Sequence, residues 1–257
     1  MTDHPEPLLS IIIPAYNEEQ RLPRSLDQVV AFVQQQSEPL EVLVVENGSR
    51  DHTTEIAEAY AAQYPFIRVL HSEKGKGAAV RVGMMAGRGR YLFICDSDLS
   101  MPIAEVRKFL PPVLADYDVA IASREGPDAQ RYGEPYYRHL MGRVFNFIVR
   151  VLAIPGFQDT QCGFKSFRRE VGRDVFADLT LTGWSFDVEA LFIALQRGYR
   201  VVAVPINWYF DADSRVNPLP DTWRMVRDVL RIRLNGWQGR HLVTPSPCHP
   251  VTFWHLL

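Results

Sequence analysis

The sequence predicts an α/β protein: a Rossmann-like, mostly parallel sheet with helices on both faces. Three observations carry this reading. Short continuous apolar runs recur at 8–13, 40–45, 66–70, 90–95 and 119–123, and segments of helical periodicity lie between them. Such runs mark strands buried on both faces, and strict strand–helix alternation calls for parallel crossovers. Polar clusters then follow the strands, at Ala15–Glu19, Glu46–Asp51, His71–Lys76 and Asp96–Ser100. Ligands of open α/β sheets bind beyond the carboxyl ends of the strands, so this fold gathers all four clusters on one rim.

In chain order, Leu8–Ile13 is the first strand, and Pro14 is expected to end its ladder. Pro23–Gln36 carries Leu26, Val29, Val30 and Val33 at helical spacing. Leu40–Val45 is the second strand, and Asp51–Tyr64 a helix capped by Asp51 or Thr53. Phe66–Leu70 is the third strand, Gly75–Ala86 a small-residue helix and Arg90–Cys95 the fourth strand. Ile103–Ala115 reads as a helix and Val119–Ser123 as the fifth strand. The second half changes character. Gly126–Tyr137 reads as a polar loop, and Tyr137–Ala153 as an amphipathic, aromatic helix. Asp159–Arg168 carries a short strand, Trp184–Arg197 is a capped helix, and Val201–Tyr209 is a strand broken at Pro205. Asp211–Pro220 reads as a mobile polar loop and Thr222–Leu234 as a basic amphipathic helix. The expected layout is one domain over 8–235, in two halves at 8–123 and 124–235. A Pro-rich tail follows at 236–257.

Composition narrows the class. A formal net charge of -2 argues against a general nucleic-acid binder, so no nucleic-acid partner is expected. Cys95, Cys162 and Cys248 form an odd, widely spaced set that matches neither a disulfide framework nor a zinc site. A reducing, cytoplasmic setting follows as the expectation. No window reaches the roughly 20 apolar residues of a membrane span, and the first residues lack the apolar segment of a secretory signal. The expectation is a soluble protein or a peripheral one on the cytoplasmic face of a membrane.

The chemistry concentrates at Asp96 and Asp98, one residue apart where the fourth strand ends. Two carboxylates that close repel each other unless a cation neutralises them. A hard divalent ion, Mg²⁺ or Mn²⁺, suits oxygen ligands and keeps positions open for substrate phosphates. Arg124 and Arg131 follow the fifth strand, and arginine binds phosphate bidentately. Asp187 and Glu189 stand at a helix start, with Trp184 and Phe186 walling that position. They either complement the helix dipole or work on substrate, and Asp187 is the better candidate. The Lys74-Gly75-Lys76-Gly77 stretch lacks the third glycine of a dinucleotide fingerprint, because Val80 occupies its place. Glycines there let a helix N-terminus approach a neighbour, and lysines favour anions.

Pro14-Ala15-Tyr16-Asn17-Glu18-Glu19, Glu46-Asn47-Gly48-Ser49-Arg50-Asp51, Gly75-Lys76-Gly77 and Asp96-Ser97-Asp98, in this order and spacing, resemble the inverting family 2 glycosyltransferases of the GT-A fold. Asp159-Thr160-Gln161-Cys162-Gly163-Phe164-Lys165 and Trp184-Ser185-Phe186-Asp187-Val188-Glu189 resemble the dolichyl-phosphate glucosyltransferase branch of that family. The resemblance implies that Pro14, Ala15, Tyr16, Asn17 and Glu18 hold the nucleotide base and ribose. Glu46, Asn47, Gly48 and Ser49 depart from the family's usual Asp-Asp-Gly-Ser by losing one carboxylate. It further implies that Lys76 lies beside the nucleotide, and that Asp96, Ser97 and Asp98 form the pyrophosphate–metal site. Ser214 and Arg215 match a loop that approaches the diphosphate. Asp98, Arg124 and Asp187 are then the catalytic candidates, with Arg131, Gln161 and Trp184 completing the substrate site.

The implied reaction moves a hexose, glucose from UDP-glucose, to a polyprenyl phosphate with inversion at a membrane surface. A phosphate acceptor is already largely ionised, with a second pKa of about 6, and needs no strong base. Four alternatives stay open: GDP-mannose as donor, a soluble hydroxyl acceptor, a sugar-nucleotide-binding module without turnover, and a nucleotidyltransferase.

Overall fold

A computed structural model of the protein describes residues 6–211 and 218–237. In chain order its strands are β1 (Leu9–Ala15), β2 (Leu40–Glu46), β3 (Ile67–His71), β4 (Tyr91–Ile94), β5 (Val119–Ser123), β6 (Gln130–Tyr132), β7 (Lys165–Arg168), β8 (Val201–Pro205) and β9 (Asn207–Tyr209). Its α-helices are α1 (Leu22–Gln34), α2 (Thr53–Gln63), α3 (Lys76–Ala86), α4 (Tyr136–Leu152), α5 (Arg169–Ala177), α6 (Phe186–Gln196) and α7 (Pro218–Trp237). Seven strands form one sheet in the order β3-β2-β1-β4-β7-β5-β8, and β7 alone runs antiparallel in it.

Both faces are covered, which explains why the strands read as unbroken apolar runs. Ile11 and Ile13 face a layer with Leu22, Leu26 and Val29 of α1. Ile12, between them, faces the opposite layer with Ala79 and Val80 of α3 and Val175 of α5. The period of two along a strand thus splits the core into two layers. Phe93 sits at the centre of the first layer. It meets Phe109 and Phe164 edge-on, at ring-centroid distances of 5.2 and 5.1 Å. Among the described residues, no helix is long and apolar enough to cross a membrane.

Several expectations change. β1 continues through Pro14 to Ala15, in register with Val45 and Glu46. Ile12 O accepts the Cys95 N–H on the β4 side, while Ala15 O accepts the Asn47 N–H on the β2 side. Alternation therefore turns Pro14 toward β4, beyond the point where β4 has ended, and no donor is missed there. The helix expected at 103–115 is a 3-10 segment, Ile103–Phe109, because Pro111 and Pro112 withhold the next donors. The loop at 126–137 contains β6, which pairs in parallel with β9 to make a second, small sheet. There Tyr132 stacks on Tyr209 at 4.6 Å. Helix α5 is not among the expected elements, although its buried Val171, Gly172, Val175 and Phe176 recur at helical spacing between charged residues. Helix α7 starts at Pro218, inside the stretch expected to be loop; proline is favoured in a first turn.

Phe93 is fully buried, so Phe93→Ala should cost about 3–5 kcal/mol, read as a lower urea midpoint with unchanged slope.

Candidate active site

The rim of the sheet opens into a cleft of about 620 Å³. Its floor is set where β4 stops. The Cys95 N–H makes the last strand bond at 2.9 Å, just before Asp96. Leu99 then adopts a left-handed φ of 46°, uncommon for a residue with a side chain. Asp98 Oδ1 accepts the Ser100 N–H at 2.9 Å. This turn brings Asp96, Ser97, Asp98 and Ser100 to the cleft wall.

Lys76 Nζ stands 2.7 Å from Asp96 Oδ1. Burial alone would lower the Lys76 pKa, but Asp96, Asp187 and Asp98 outweigh it and hold the ammonium charged. Burial raises the Asp98 carboxyl pKa, and the Asp96 charge adds to it. Among the described residues there is no cluster of three or more His, Cys, Asp or Glu side chains able to hold a metal. The acidic pair nonetheless fits a hard cation. Asp96 Oδ1 is buried, with the Lys76 ammonium as its charged neighbour. The backbone of Gly163 presses on the same carboxylate, where a Cβ would lie 2.0 Å from Asp96 Oδ2. That carboxylate is confined, and it stands beside a second acid whose ionisation burial opposes.

The Gly75-Lys76-Gly77 stretch does not leave a free helix N-terminus for an anion. Thr182 O takes the Gly77 N–H at 2.9 Å and the Ala78 N–H at 3.3 Å. A Cβ on Gly77 would fall 2.6 Å from Leu181 O. These glycines let α3 dock on the 181–182 backbone, and the docking aims Lys76 into the cleft. Its ammonium also lies 5.2 Å from the centre of the Trp184 ring.

Asp187, in the first turn of α6, lines the cleft although it is only 5% exposed. Burial raises its carboxyl pKa, and the Lys165 and Lys76 charges oppose that rise. Lys165 Nζ lies 3.2 Å from Asp187 Oδ1. Glu189 has a different job. Its carboxylate accepts the Thr180 N–H at 3.0 Å, the Thr180 hydroxyl and the Leu181 N–H at 2.7 Å. It thereby organises the loop on which α3 rests.

Arg124 forms the third charged centre. Its Nε donates to Asp159 Oδ2 at 2.7 Å, and a terminal nitrogen donates to Oδ1 at 2.9 Å. Despite burial, the Arg124 charge and its hydrogen bonds hold the Asp159 carboxyl down at about 2. Arg124 also lies 5.4 Å from the Trp208 ring centre, and both residues line the cleft.

Pro14, Tyr16, Glu18 and Asn47 line the cleft as well, with Gln161 and Trp184. Asn47 Oδ1 is buried with no hydrogen-bond partner among the described residues. The other described candidates are not among the residues that line this cleft. Ala15 is fully buried in β1. Asn17 and Ser49 tie two loops together, the Asn17 N–H donating to Ser49 Oγ at 2.9 Å. Glu46 accepts the Ser49 N–H, shaping the turn at Gly48, where φ is 84°. Arg131 binds Glu134 at 2.7 Å and Glu125 at 2.9 Å. Ser214 and Arg215 lie outside the described residues. Two cleft-associated residues escaped the sequence reading. Arg21 lines the cleft while bridging Glu18 and Asp211. Lys165 opens the short strand Lys-Ser-Phe-Arg, whose composition carries no sign of a buried ammonium.

The cleft lies where open α/β sheets bind their ligands, beyond the carboxyl ends of the strands. The profile of Glycosyl transferase family 2 matches residues 10–176, and the chain belongs to that family. It is 36% identical over 248 residues to a dolichyl-phosphate beta-glucosyltransferase of Drosophila melanogaster, covering 90% of this chain and 76% of the relative. The Homo sapiens dolichyl-phosphate beta-glucosyltransferase is 34% identical, covering 92% of this chain and 78% of its own. Among solved structures, the fold is shared with glucosyl-3-phosphoglycerate synthase from Mycobacterium tuberculosis in complex with Mn²⁺, UDP and glucosyl-3-phosphoglycerate. That likeness has a TM-score of 0.64 at 19% identity, over 89% of this chain and 79% of that one.

The Asp159–Arg124 pair makes a pH-dependent contribution. A carboxyl at about 2 in the fold, against an ordinary 3.8, is worth on the order of 2 kcal/mol. Because the folded pKa is depressed, that stability is present above about pH 4 and is lost as pH falls toward 2. Urea unfolding of wild type and Asp159→Asn should therefore show a gap at pH 7 that narrows at pH 3.

Proposed function

We propose that this enzyme transfers glucose from UDP-glucose to the phosphate of a polyprenyl lipid of the dolichyl type, with inversion. The observation that carries the reading is the likeness, over nine-tenths of the chain, to relatives named for beta-glucosyl transfer with dolichyl phosphate; the UDP donor and inversion follow from the family resemblance. The cleft is consistent with it. In this reading residues 8–123 form the nucleotide half and 124–235 the acceptor half.

Tyr16 and Asn47 bound the nucleotide end, and Lys76 meets the diphosphate. Asp96 and Asp98 are the residues that would hold Mg²⁺ or Mn²⁺. The chemistry supplied there is neutralisation of charge on the departing diphosphate. Arg124, held rigid by Asp159, and Arg138, at the cleft wall, bring positive charge to the acceptor phosphate. One acceptor oxygen attacks the anomeric carbon from the face opposite the leaving group. That oxygen is already anionic, so Asp187 orients the reacting groups and does not need to remove a proton.

The lipid part of the acceptor calls for an apolar surface beside the cleft. Helix α4 exposes Leu140, Val144, Phe147 and Val151, and carries Arg143 and Arg150. The same helix lends Arg138, Met141 and Gly142 to the cleft. An amphipathic helix of this kind lies in the plane of an anionic membrane surface.

Two outcomes test the reading. Free UDP should appear from UDP-glucose only when polyprenyl phosphate and Mg²⁺ or Mn²⁺ are both present, and Asp98→Asn should cut the rate by about 100-fold or more with the fold intact. Release that ignores the phosphate lipid overturns it. Separately, Val144→Glu with Phe147→Glu should lower sedimentation with anionic vesicles while UDP release to a short-chain, detergent-soluble acceptor persists.

A further inference from the structure

Lys165 sits where a charge is least welcome. Strand β7 is wedged between β4 and β5, and its register places Lys165 beside Ile94 on one side and Ile121 on the other. The residue is 1% exposed. An ammonium carried into such a place costs several kcal/mol of hydration, and a methionine of similar length would suit the packing better. Its two partners show what the charge does. Nζ donates to Cys162 O at 2.6 Å and lies 3.2 Å from Asp187 Oδ1. Cys162 directly precedes Gly163, whose backbone presses on the Asp96 carboxylate. A single ammonium therefore joins the loop beneath Asp96 to the first turn of α6. Lys165 is not part of the cleft wall, whereas Asp187 is, so Lys165 reaches the substrate site only through its partners.

We propose that Lys165 is a positioning residue for glycosyl transfer: it holds the Asp187 carboxylate aimed into the cleft and locks it to the Cys162–Gly163 backbone. The inference rests on the reading of Asp187 as a residue that orients the reacting groups. The other charges near Asp187 come from different elements, Lys76 from α3 and Asp96 from the end of β4. Lys76 is drawn to Asp96 at 2.7 Å. Among the described residues Lys165 is thus the cation in direct ion-pair contact with Asp187, and removing it frees the carboxylate to turn toward Lys76.

The test is a double-mutant cycle on the full chain with UDP-glucose and polyprenyl phosphate. Lys165→Met should lower kcat about 10- to 100-fold, the range for losing a hydrogen bond to a charged group. KM for UDP-glucose and UDP affinity by calorimetry should stay within about threefold, because Lys165 makes no contribution to the nucleotide end. Asp187→Asn should impair turnover, and adding Lys165→Met to it should cost less than about twofold more, because the two residues act as a unit. The double variant also keeps the experiment decisive if Lys165→Met alone fails to fold. It removes both members of the buried pair and leaves no orphan charge. Should the two losses multiply in the double variant, the inference is overturned. It is equally overturned if Lys165→Met turns over like wild type while Asp187→Asn collapses, and Asp187 then keeps its role. An Asp187→Asn enzyme of wild-type rate would instead overturn the reading of Asp187, and this inference with it.

Discussion

The cleft depends on keeping acidic groups charged inside a protein. Asp96, Asp98 and Asp187 converge at the end of β4 and the start of α6, and burial pushes the Asp98 and Asp187 carboxyls toward their neutral forms. Two lysines oppose this. Lys76 is charged because those acids surround it, and Lys165 is held by Asp187 and a backbone carbonyl. Neither arrangement survives loss of its partner, since an uncompensated buried charge costs several kcal/mol. The geometry of α3, β7 and α6 follows from this requirement as much as from apolar packing.

Close backbone contact makes the charge pattern possible. The N-terminus of α3 lies directly on the carbonyls of the 181–182 segment, with no room for a side chain at Gly77. Glu189 holds that segment from the other side through Thr180 and Leu181. The antiparallel insertion of β7 brings Gly163 against Asp96 and Lys165 under Asp187. A parallel strand at that place would enter the sheet from its opposite end, and the 159–163 loop would not arrive on the active rim.

What the sequence discloses follows from how local each signal is. The runs at Leu9, Leu40 and Tyr91 are buried on both faces, so apolar continuity reveals them. The Asp96–Asp98 pair is legible because both acids sit on one turn. Strand β6 is hidden because its pairing is with β9, some 75 residues on, and Gln130 and Tyr132 are exposed with only Arg131 half-buried between them. Asp187 and Glu189 are two acids in one helical turn, and the sequence favours Asp187 without showing what Glu189 does. Only the position of the 180–181 loop shows that Glu189 is occupied while Asp187 faces the cleft. The role of Lys165 lies in a contact across 22 residues, and no periodicity encodes that.

In the proposed reading, the acceptor side follows a different logic from the donor side. Around Asp96 and Asp98 negative charge is in excess, which suits a site that takes up a cation. At Arg124 a fully buried carboxylate fixes the guanidinium in one orientation, with the Trp208 ring beside it. An arginine so held has little conformational freedom left to lose when an anion arrives, and that favours binding. Arg138 adds a second positive group from α4, the helix whose outer face is apolar. A hydroxyl acceptor would need a base poised at the cleft and would gain nothing from two arginines. An acceptor that carries its own negative charge and an apolar chain uses both faces of α4, and it can work with an aspartate that only holds its neighbours in place.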